Sequence, residues 1–392
     1  MIMKNNSLIA ITLALLATLV VTEAPAQDCG SNYSDCCSTD FCGGQFVVGA
    51  EWLYWKAEED NASLGATITG NSDSSSPDFR STATEFIEPD FKFTNGYRVS
   101  AGYAMPCNGW ELDVIYTYLP THAKSSLFTA SGNPSSGPGI FSLVGPFVEV
   151  IGDPFLLIYG QIARSIQADQ PLPFQTFQQS WDLTFNQVDI DVSRTIAFNN
   201  CISLQPHVGF RALWYTDKQK VEATGAFGGG RKLGSSTSET ADEDPPAAAP
   251  GGTTTFTTDI LFKDKFTGYG IEAGLWGKWQ IWDGLSVIGH FGGSILYAKF
   301  VVNETATTAL RHSGTNPNLP PIIHTDTVCD TIHTATPTAD YFLGLEYADS
   351  MCDVTFAVRV GWEQHVYFDP NRIFQYGDLS TQGLTLGLAV GF

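Results

Sequence analysis

Charged side chains that alternate with large apolar ones are the residues of this 392-residue chain best suited to do chemistry. Glu111 and Asp113 alternate with Trp110, Leu112 and Val114. An extended strand therefore places the two carboxylates on one face and the apolar side chains on the other. The same alternation in other segments predicts a larger polar-face set: Glu51, Arg98, Asp189, Asp191, His207, Arg211, Arg359 and Glu363.

Two interpretations of this polar face remain open. If it lines a lumen, rings of carboxylate favour cations, and opposed arginines create a transverse field that filters solutes. Alternatively, the same groups hydrogen-bond across the interior and close a narrow barrel. The number of strands decides between them, because a barrel of about eight strands fills its own interior and one of 16–18 leaves a channel.

The eight cysteines are a second reactive group. Four precede the first candidate strand and three lie in or beside predicted short turns: Cys29, Cys36, Cys37, Cys42, Cys107, Cys201 and Cys352. Only Cys329 falls in a predicted outer loop. An oxidising compartment permits disulfides, either between chains or within one chain, and the sequence leaves both open. The spacing of Cys36, Cys37 and Cys42 is poor for zinc, so no metal is predicted.

Catalysis is not expected from this sequence. The seven histidines are scattered, and most fall in predicted loops. Ser203 and His207 share a strand face, but so do any two residues four apart on a strand. We therefore predict no catalytic residue, no enzyme activity and no cofactor.

The amino-terminal residues predict export. Lys4 precedes an apolar run from Leu8 to Val21, and Ala24-Pro25-Ala26 matches a signal-peptidase site. We expect a cleaved signal peptide over 1–26 and a cysteine-rich periplasmic segment over 27–44. Charged residues make up 16% of the chain, against ~25% in an ordinary soluble domain. The net charge of −21 argues against a nucleic-acid partner.

The carboxy-terminal residues predict a membrane-facing strand. Leu384, Leu386, Leu388, Val390 and Phe392 share one face of an extended segment, and the opposite face holds small residues. A terminal phenylalanine on such a strand is typical of the signal that the barrel-assembly machinery reads. Ten segments show the strand period: 45–57, 91–105, 109–120, 182–198, 202–217, 264–281, 284–302, 338–348, 352–366 and 379–392.

The connections between these segments alternate between long and short. The long ones are expected to be extracellular loops over 58–90, 121–181, 218–263 and 303–337, with both termini periplasmic. A possible extra hairpin within 145–166 raises the expected total to about twelve strands, with ten to sixteen possible. The prediction is one all-β, antiparallel, transmembrane outer-membrane β-barrel over 45–392.

Several segments also resemble a known family, the major outer membrane protein-like pore-forming proteins of Legionella and chlamydia relatives. The resemblance is carried by 52–59, 91–103, 109–113, 205–214, 274–279, 296–300, 358–363 and 377–385. It covers nearly all strands in order, while the long loops look individual. It implies a pore-forming barrel abundant at the cell surface and, in chlamydial members, disulfide cross-linking of the envelope.

Together these features predict an outer-membrane porin that passes small polar solutes and ions with a mild cation preference. A role as a disulfide-linked envelope scaffold is expected beside it. The alternative is a structural or adhesive surface protein that uses the barrel only as an anchor. Expected partners are outer-membrane lipid, the barrel-assembly machinery, further copies of the chain and cysteine-rich envelope proteins.

Overall fold

A computed structural model describes residues 44–60, 62, 65–70, 81–106, 109–129, 140–141, 173–199, 201–228, 253–313, 321–351, 354–371 and 377–392. Within these ranges no helix is long and apolar enough to cross a membrane. The fifteen strands are β1 Gln45–Glu59, β2 Gly65–Gly70, β3 Ser81–Ile87, β4 Phe93–Ala104, β5 Trp110–Lys124, β6 Phe128–Thr129, β7 Ile140–Phe141, β8 Pro173–Arg194, β9 Ile196–Ala197, β10 Ile202–Gly228, β11 Thr253–Gln280, β12 Leu285–Ser313, β13 Ile322–Met351, β14 Val354–Asn371 and β15 Gly377–Gly391.

Ten of these strands close a ring. β1 pairs with β4 on one side and with β15 on the other. Pairing continues from β4 through β5, β8, β10, β11, β12, β13 and β14 back to β15, antiparallel at every step. The predicted all-β transmembrane barrel is therefore confirmed, with a closed ring of 10 strands.

The strand number is at the lower end of the predicted range and two below the expected total of about twelve. All ten segments with the strand period lie in the ring. β5 pairs directly with β8, from Trp110 with Arg194 to Lys124 with Ser180, so no strand from 121–181 enters the ring between them. The extra hairpin expected within 145–166 lies outside the described residues.

An outward belt of apolar side chains surrounds the ring. On β11 the outward residues run from Tyr269 through Ile271 and Leu275 to Trp279, and Ile271 is 71% exposed. This length matches the roughly 9–11 residues that cross a bilayer, and the aromatic residues lie at its two ends. We take the membrane-spanning segments to be Tyr269–Trp279 on β11 and the matching Ile202–Trp214 on β10 and Val287–Tyr297 on β12.

Four strands extend far beyond this belt. β10, β11, β12 and β13 have 27, 28, 29 and 30 residues. Beyond the belt the polarity inverts, because Phe256, Ile260 and Phe262 of β11 face inward and are buried, while Thr257 and Lys263 face outward.

The predicted loop boundaries were wrong in these extensions. Strand occupies 218–228, 253–263, 303–313 and 322–337, all of which were expected to be loop. The end of β5 and the start of β8, together with β2, β3, β6 and β7, also lie in expected loops. The predicted strands were recognised by apolar residues on the outer, lipid-facing side. In these extensions the outer face meets water, so the apolar residues lie inside.

The two ends of the barrel differ. Short connections, with Gly109 and Gly284 at φ values of 68° and 73°, occur at the end where the first and last strands also meet. There the backbone N–H groups of Phe46 and Phe392 each donate to the other residue's carbonyl at 2.9 Å. We call this the turn end, and the opposite end, with the extensions of β10–β13, the extended end.

Candidate functional site inside the barrel

Charged side chains from seven strands meet inside the barrel at mid-height. We call this set the central ionic layer: Glu51, Arg98, Asp189, Arg211, Glu272, Asp340, Arg359, Glu363 and His365. Each residue has the inward parity of its strand, as the alternation predicts. Glycine makes room for part of the layer: Gly387 pairs with both Glu51 and Arg359, and a Cβ there would approach their side chains to 3.0–3.1 Å.

Arg98 organises one half of the layer. Its Nη1 lies 2.8 Å from Glu51 Oε2, and its Nη2 lies 2.8 Å from Glu363 Oε1. The guanidinium also donates from Nη1 to Glu363 Oε2 at 3.1 Å and from Nε to Thr117 at 3.0 Å. The contact with Glu363 is a bidentate fork, the strong geometry for an arginine–carboxylate pair. Arg359 forms a second ion pair with Glu51.

Arg211 organises the other half. Its Nε lies 2.8 Å from Asp189 Oδ1 and 2.7 Å from Glu272 Oε2, and its Nη1 lies 2.5 Å from Asp340 Oδ2. Nη1 also donates to Thr338 at 3.2 Å. Arg211 is 6% exposed. Carboxylates from three other strands therefore share one buried cation.

His365 joins the two halves. Its Nδ1 lies 2.6 Å from Asp340 Oδ1, and its Nε2 lies 2.9 Å from Glu363 Oε1. In the imidazolium form both ring nitrogens carry a proton, and His365 then donates to both carboxylates. His365 thus completes a chain of charge from Arg98 to Arg211.

An apolar layer lies next to the ionic layer on its extended-end side. Buried inward side chains from most strands of the ring form it: Leu53, Trp55, Leu119, Trp181, Leu183, Phe185, Leu213, Tyr215, Phe266, Leu296, Phe300, Tyr367 and Leu379. Trp55, Trp181, Phe185 and Phe266 are at most 1% exposed. Side chains therefore pack across the lumen in this layer.

Beyond the apolar layer, past the membrane-spanning segments, lies a group of carboxylates. Trp181 Nε1 and Gln219 Nε2 both donate to Glu59 Oε2, at 2.9 and 3.0 Å. Burial, and then the nearby charge of Glu59, raise the pKa of Asp264 to about 8. Burial likewise raises the pKa of Asp217. Within the described residues, no three His, Cys, Asp or Glu side chains are placed to hold a metal ion.

A polar vestibule opens on the turn-end side of the ionic layer. Gln205 Nε2 donates to Glu111 Oε2 at 2.7 Å and to Ser193 at 2.9 Å. Lys278 and Glu346 form an ion pair of 2.8 Å. The imidazoles of His207 and His290 stack with their centroids 5.1 Å apart.

The structure divides the predicted lumen residues between two places. Six belong to the ionic layer: Glu51, Arg98, Asp189, Arg211, Arg359 and Glu363. Three, Glu111, Asp113 and Asp191, face the vestibule with His207. Their role in selectivity stays a prediction.

Sequence reasoning missed Glu272, Asp340 and His365. Glu272 and Asp340 lie within predicted strands at inward parity, so the alternation carried a usable signal. The contacts of Glu272 with Arg211 and of Asp340 with His365 join neighbouring strands. The contact of Asp340 with Arg211 had no sequence signal, because it joins strands three steps apart and depends on how the ring closes.

Only two of the cysteines lie among the described residues. Cys201 and Cys329 are both exposed and free. Cys201 is at the turn end, whereas Cys329 lies in the extension of β13 rather than in a loop. The other six, Cys29, Cys36, Cys37, Cys42, Cys107 and Cys352, lie outside the described residues, as does the signal peptide expected over 1–26.

A closed antiparallel ring with an outward apolar belt, aromatic borders and a charged interior defines a transmembrane barrel of the outer-membrane class. The chain belongs to the family described as Legionella pneumophila major outer membrane protein precursor, whose sequence model matches residues 43–391. The predicted family resemblance and the outer-membrane location are thereby confirmed.

Solved outer-membrane proteins show limited similarity to the chain. The outer membrane protease OmpT from Escherichia coli is 9% identical, with 89% of this chain and 96% of that chain covered and a TM-score of 0.36. A major outer membrane protein from Thermus thermophilus is 10% identical, with 89% and 100% covered and a TM-score of 0.27. The toluene transporter TodX of P. putida is 9% identical, with 89% of each chain covered and a TM-score of 0.25. No curated protein matches the sequence.

Proposed function

We propose that the protein is an outer-membrane channel for ions and small polar solutes, and that the central ionic layer and the apolar layer beside it form its constriction. The observation that carries the proposal is the concentration of charge inside the membrane-spanning part of the ring, where Arg98, Arg211 and His365 meet five carboxylates. Charge in a membrane interior is costly and marks ion or solute pathways by default.

The half of the layer around Arg98 can rearrange without leaving a carboxylate unpaired. Glu51 is shared by Arg98 and Arg359, and Glu363 is shared by Arg98 and His365. When one contact opens, each of these carboxylates therefore retains its other cation. Passage through the layer would proceed by exchange of partners among long side chains while the backbone ring stays fixed.

A mild cation preference forms part of the proposal. The vestibule is lined by Glu111 and Asp113 of β5 and by Asp191 of the neighbouring strand β8. Closely spaced carboxylates raise the local concentration of cations. We infer that the turn end faces the periplasm, since short turns lie on that side in this class of barrel.

A second candidate function is that of a surface protein anchored by a sealed barrel. The apolar layer favours it, because Trp55, Trp181 and Phe185 are almost fully buried inside the ring. The extensions of β10–β13 would then carry the function outside the membrane.

Single-channel recording of the purified protein in a planar bilayer separates the two. The channel proposal expects stepwise current from the wild-type protein. A matched variant, Trp55→Ala with Phe185→Ala, removes two buried rings and should raise the unit conductance. If the wild-type protein carries no stepwise current and only this variant conducts, the wild-type lumen is sealed and the anchor function is the correct one.

A further inference from the structure

Four lysines form a band on the outer surface just beyond the membrane-spanning segments. This lysine band consists of Lys218 on β10, Lys263 and Lys265 on β11, and Lys299 on β12, and all four are exposed. Each shares the outward parity of the border aromatics Trp214, Tyr269 and Tyr297. The band therefore continues the lipid-facing surface and is separate from the lumen.

The register places these four lysines next to one another on the sheet. Lys218 pairs directly with Lys263 across β10 and β11. On the next pair of strands Lys265 pairs with Val301 and Thr267 pairs with Lys299, which puts Lys265 and Lys299 on a diagonal. Like charges directly opposite each other destabilise a sheet unless something neutralises them.

Within the described part of the chain, the lysines of the band lack the ion pairs that Lys92 and Lys220 have. No ion pair joins any of the four lysines to a carboxylate of the described residues, whereas the neighbouring Lys220 is paired with Glu222. Asp182 pairs with Lys218 in register, but its carboxylate contacts His122 Nδ1 at 2.6 Å. The band is thus a positive patch on a chain whose net charge is −21.

The height of the band indicates which anion covers it. Lys299 is two residues beyond Tyr297, and Lys218 is four beyond Trp214, so the band begins about 5–10 Å outside the apolar belt at the usual rise and tilt of a barrel strand. The head-group layer of a bilayer occupies this depth. Lysine stems can also reach along apolar surface and place the ammonium group among head groups.

We propose that the lysine band binds the phosphate groups of an anionic glycolipid in the outer leaflet of the membrane. The lipid's acyl chains would lie against the belt below, along Tyr269 and Tyr297, and its phosphates would neutralise the facing lysines. Several lysines at a membrane surface act additively on anionic lipid, so four give strong retention. The inference rests on the orientation proposed above, with the turn end facing the periplasm, and it is independent of conduction through the lumen.

The test compares matched variants of the full-length protein purified in a neutral detergent. The band variant is Lys218→Gln, Lys263→Gln, Lys265→Gln and Lys299→Gln. The charge-matched control removes four positive groups elsewhere: Lys56→Gln, Lys92→Gln, Lys124→Gln and Arg311→Gln. A rescue variant places arginine at all four band positions. Migration on unheated gels verifies that each variant is a folded barrel.

Each protein is incubated with bisphosphorylated lipid A, with its dephosphorylated form or with inorganic phosphate alone, and retained lipid is measured by native mass spectrometry. We expect the wild-type, control and rescue proteins to retain lipid A at least about tenfold better than the band variant does. We also expect retention to require the lipid phosphates and to persist in millimolar inorganic phosphate. Equal retention by the band variant, equal loss in the control, indifference to dephosphorylation or displacement by inorganic phosphate would each overturn the proposal.

Discussion

Tyr367 on β14 donates its hydroxyl proton to Gln187 Oε1 on β8 at 2.8 Å, across the full width of the barrel. These two strands lie five steps apart in a ring of ten in either direction, so they are diametrically opposite. Gln187 Nε2 in turn donates to Asp189 Oδ2 at 2.7 Å, and Asp189 pairs with Arg211. One hydrogen-bonded chain thus connects opposite walls and joins the apolar layer to the ionic layer.

Loss of the hydrogen bond between Tyr367 and Gln187 should destabilise the barrel. Tyr367→Phe leaves the Gln187 carbonyl without its donor in a buried site, which costs about 1–3 kcal/mol of the free energy of unfolding. Urea unfolding in detergent or lipid measures the loss. The control is Tyr297→Phe, whose hydroxyl contacts His333 at an exposed site and should have little effect. Equal effects of both variants would show that the cross-barrel hydrogen bond adds nothing to the free energy of unfolding.

Loss of a shared cation should have a larger effect. Arg211→Met leaves Asp189, Glu272 and Asp340 buried without their common partner, and removal of one member of a buried ion pair costs about 3–5 kcal/mol. The matched variant Arg359→Met should cost much less. Arg359 is 32% exposed, and its partner Glu51 keeps Arg98.

The same unfolding assay measures both arginine variants. Adding Glu272→Gln to Arg211→Met should recover part of the loss, because one uncompensated charge disappears. An Arg211→Met protein as stable as the wild type would show that these carboxylates are already protonated in the folded barrel.

Selectivity should respond to the vestibule. Glu111→Lys with Asp113→Lys converts two acidic groups at the turn end to basic ones, so the preference for cations should reverse or disappear. The reversal potential in a salt gradient measures this. The control is Glu222→Lys with Asp259→Lys, because both of these residues lie on the outer face of the extensions. If the reversal potential does not change with the vestibule variant, these two residues are not part of the filter.

The buried carboxylate of Asp264 should make stability depend on pH. Burial raises its pKa to about 8, above the ordinary value of ~3.9 that it has in the unfolded chain. Between these values the folded state binds more protons than the unfolded state, so stability falls as the pH rises, by up to about 1.4 kcal/mol per pH unit. Asp264→Asn, which cannot ionise, should flatten this dependence between about pH 4 and pH 8. Unfolding measured at pH 5 and pH 9 provides the check, and a parallel pH dependence in both proteins would exclude Asp264 as the cause.

Alternation made the membrane-spanning part of the fold predictable. Where Ile271 or Leu343 faces lipid, the apolar residue is on the outside and its strand was found from the sequence. The extensions were missed because Phe256 and Ile260 point the opposite way, and the pattern alone does not say where lipid ends and water begins. Parity placed Arg98 and Arg211 inside, and the neighbours Glu51, Asp189 and Glu272 lie on adjacent strands. Glu363 and Asp340 come from strands three steps away in the ring, and only three-dimensional closure brings them to the two arginines.

Cross-linking should depend on the turn-end cysteines and not on Cys329. Cys201 is exposed at the turn end, the side proposed to face the oxidising periplasm, whereas Cys329 is exposed on the extension of β13 at the opposite end of the barrel. We expect oligomer bands on non-reducing gels that collapse with reductant, that weaken in Cys201→Ser and that persist in Cys329→Ser. A free thiol needs a neighbouring thiol within reach, so partners must lie on the same side of the membrane. A monomer under both conditions would favour pairing within the chain, and loss of the bands in Cys329→Ser instead would place the cross-link at the extended end.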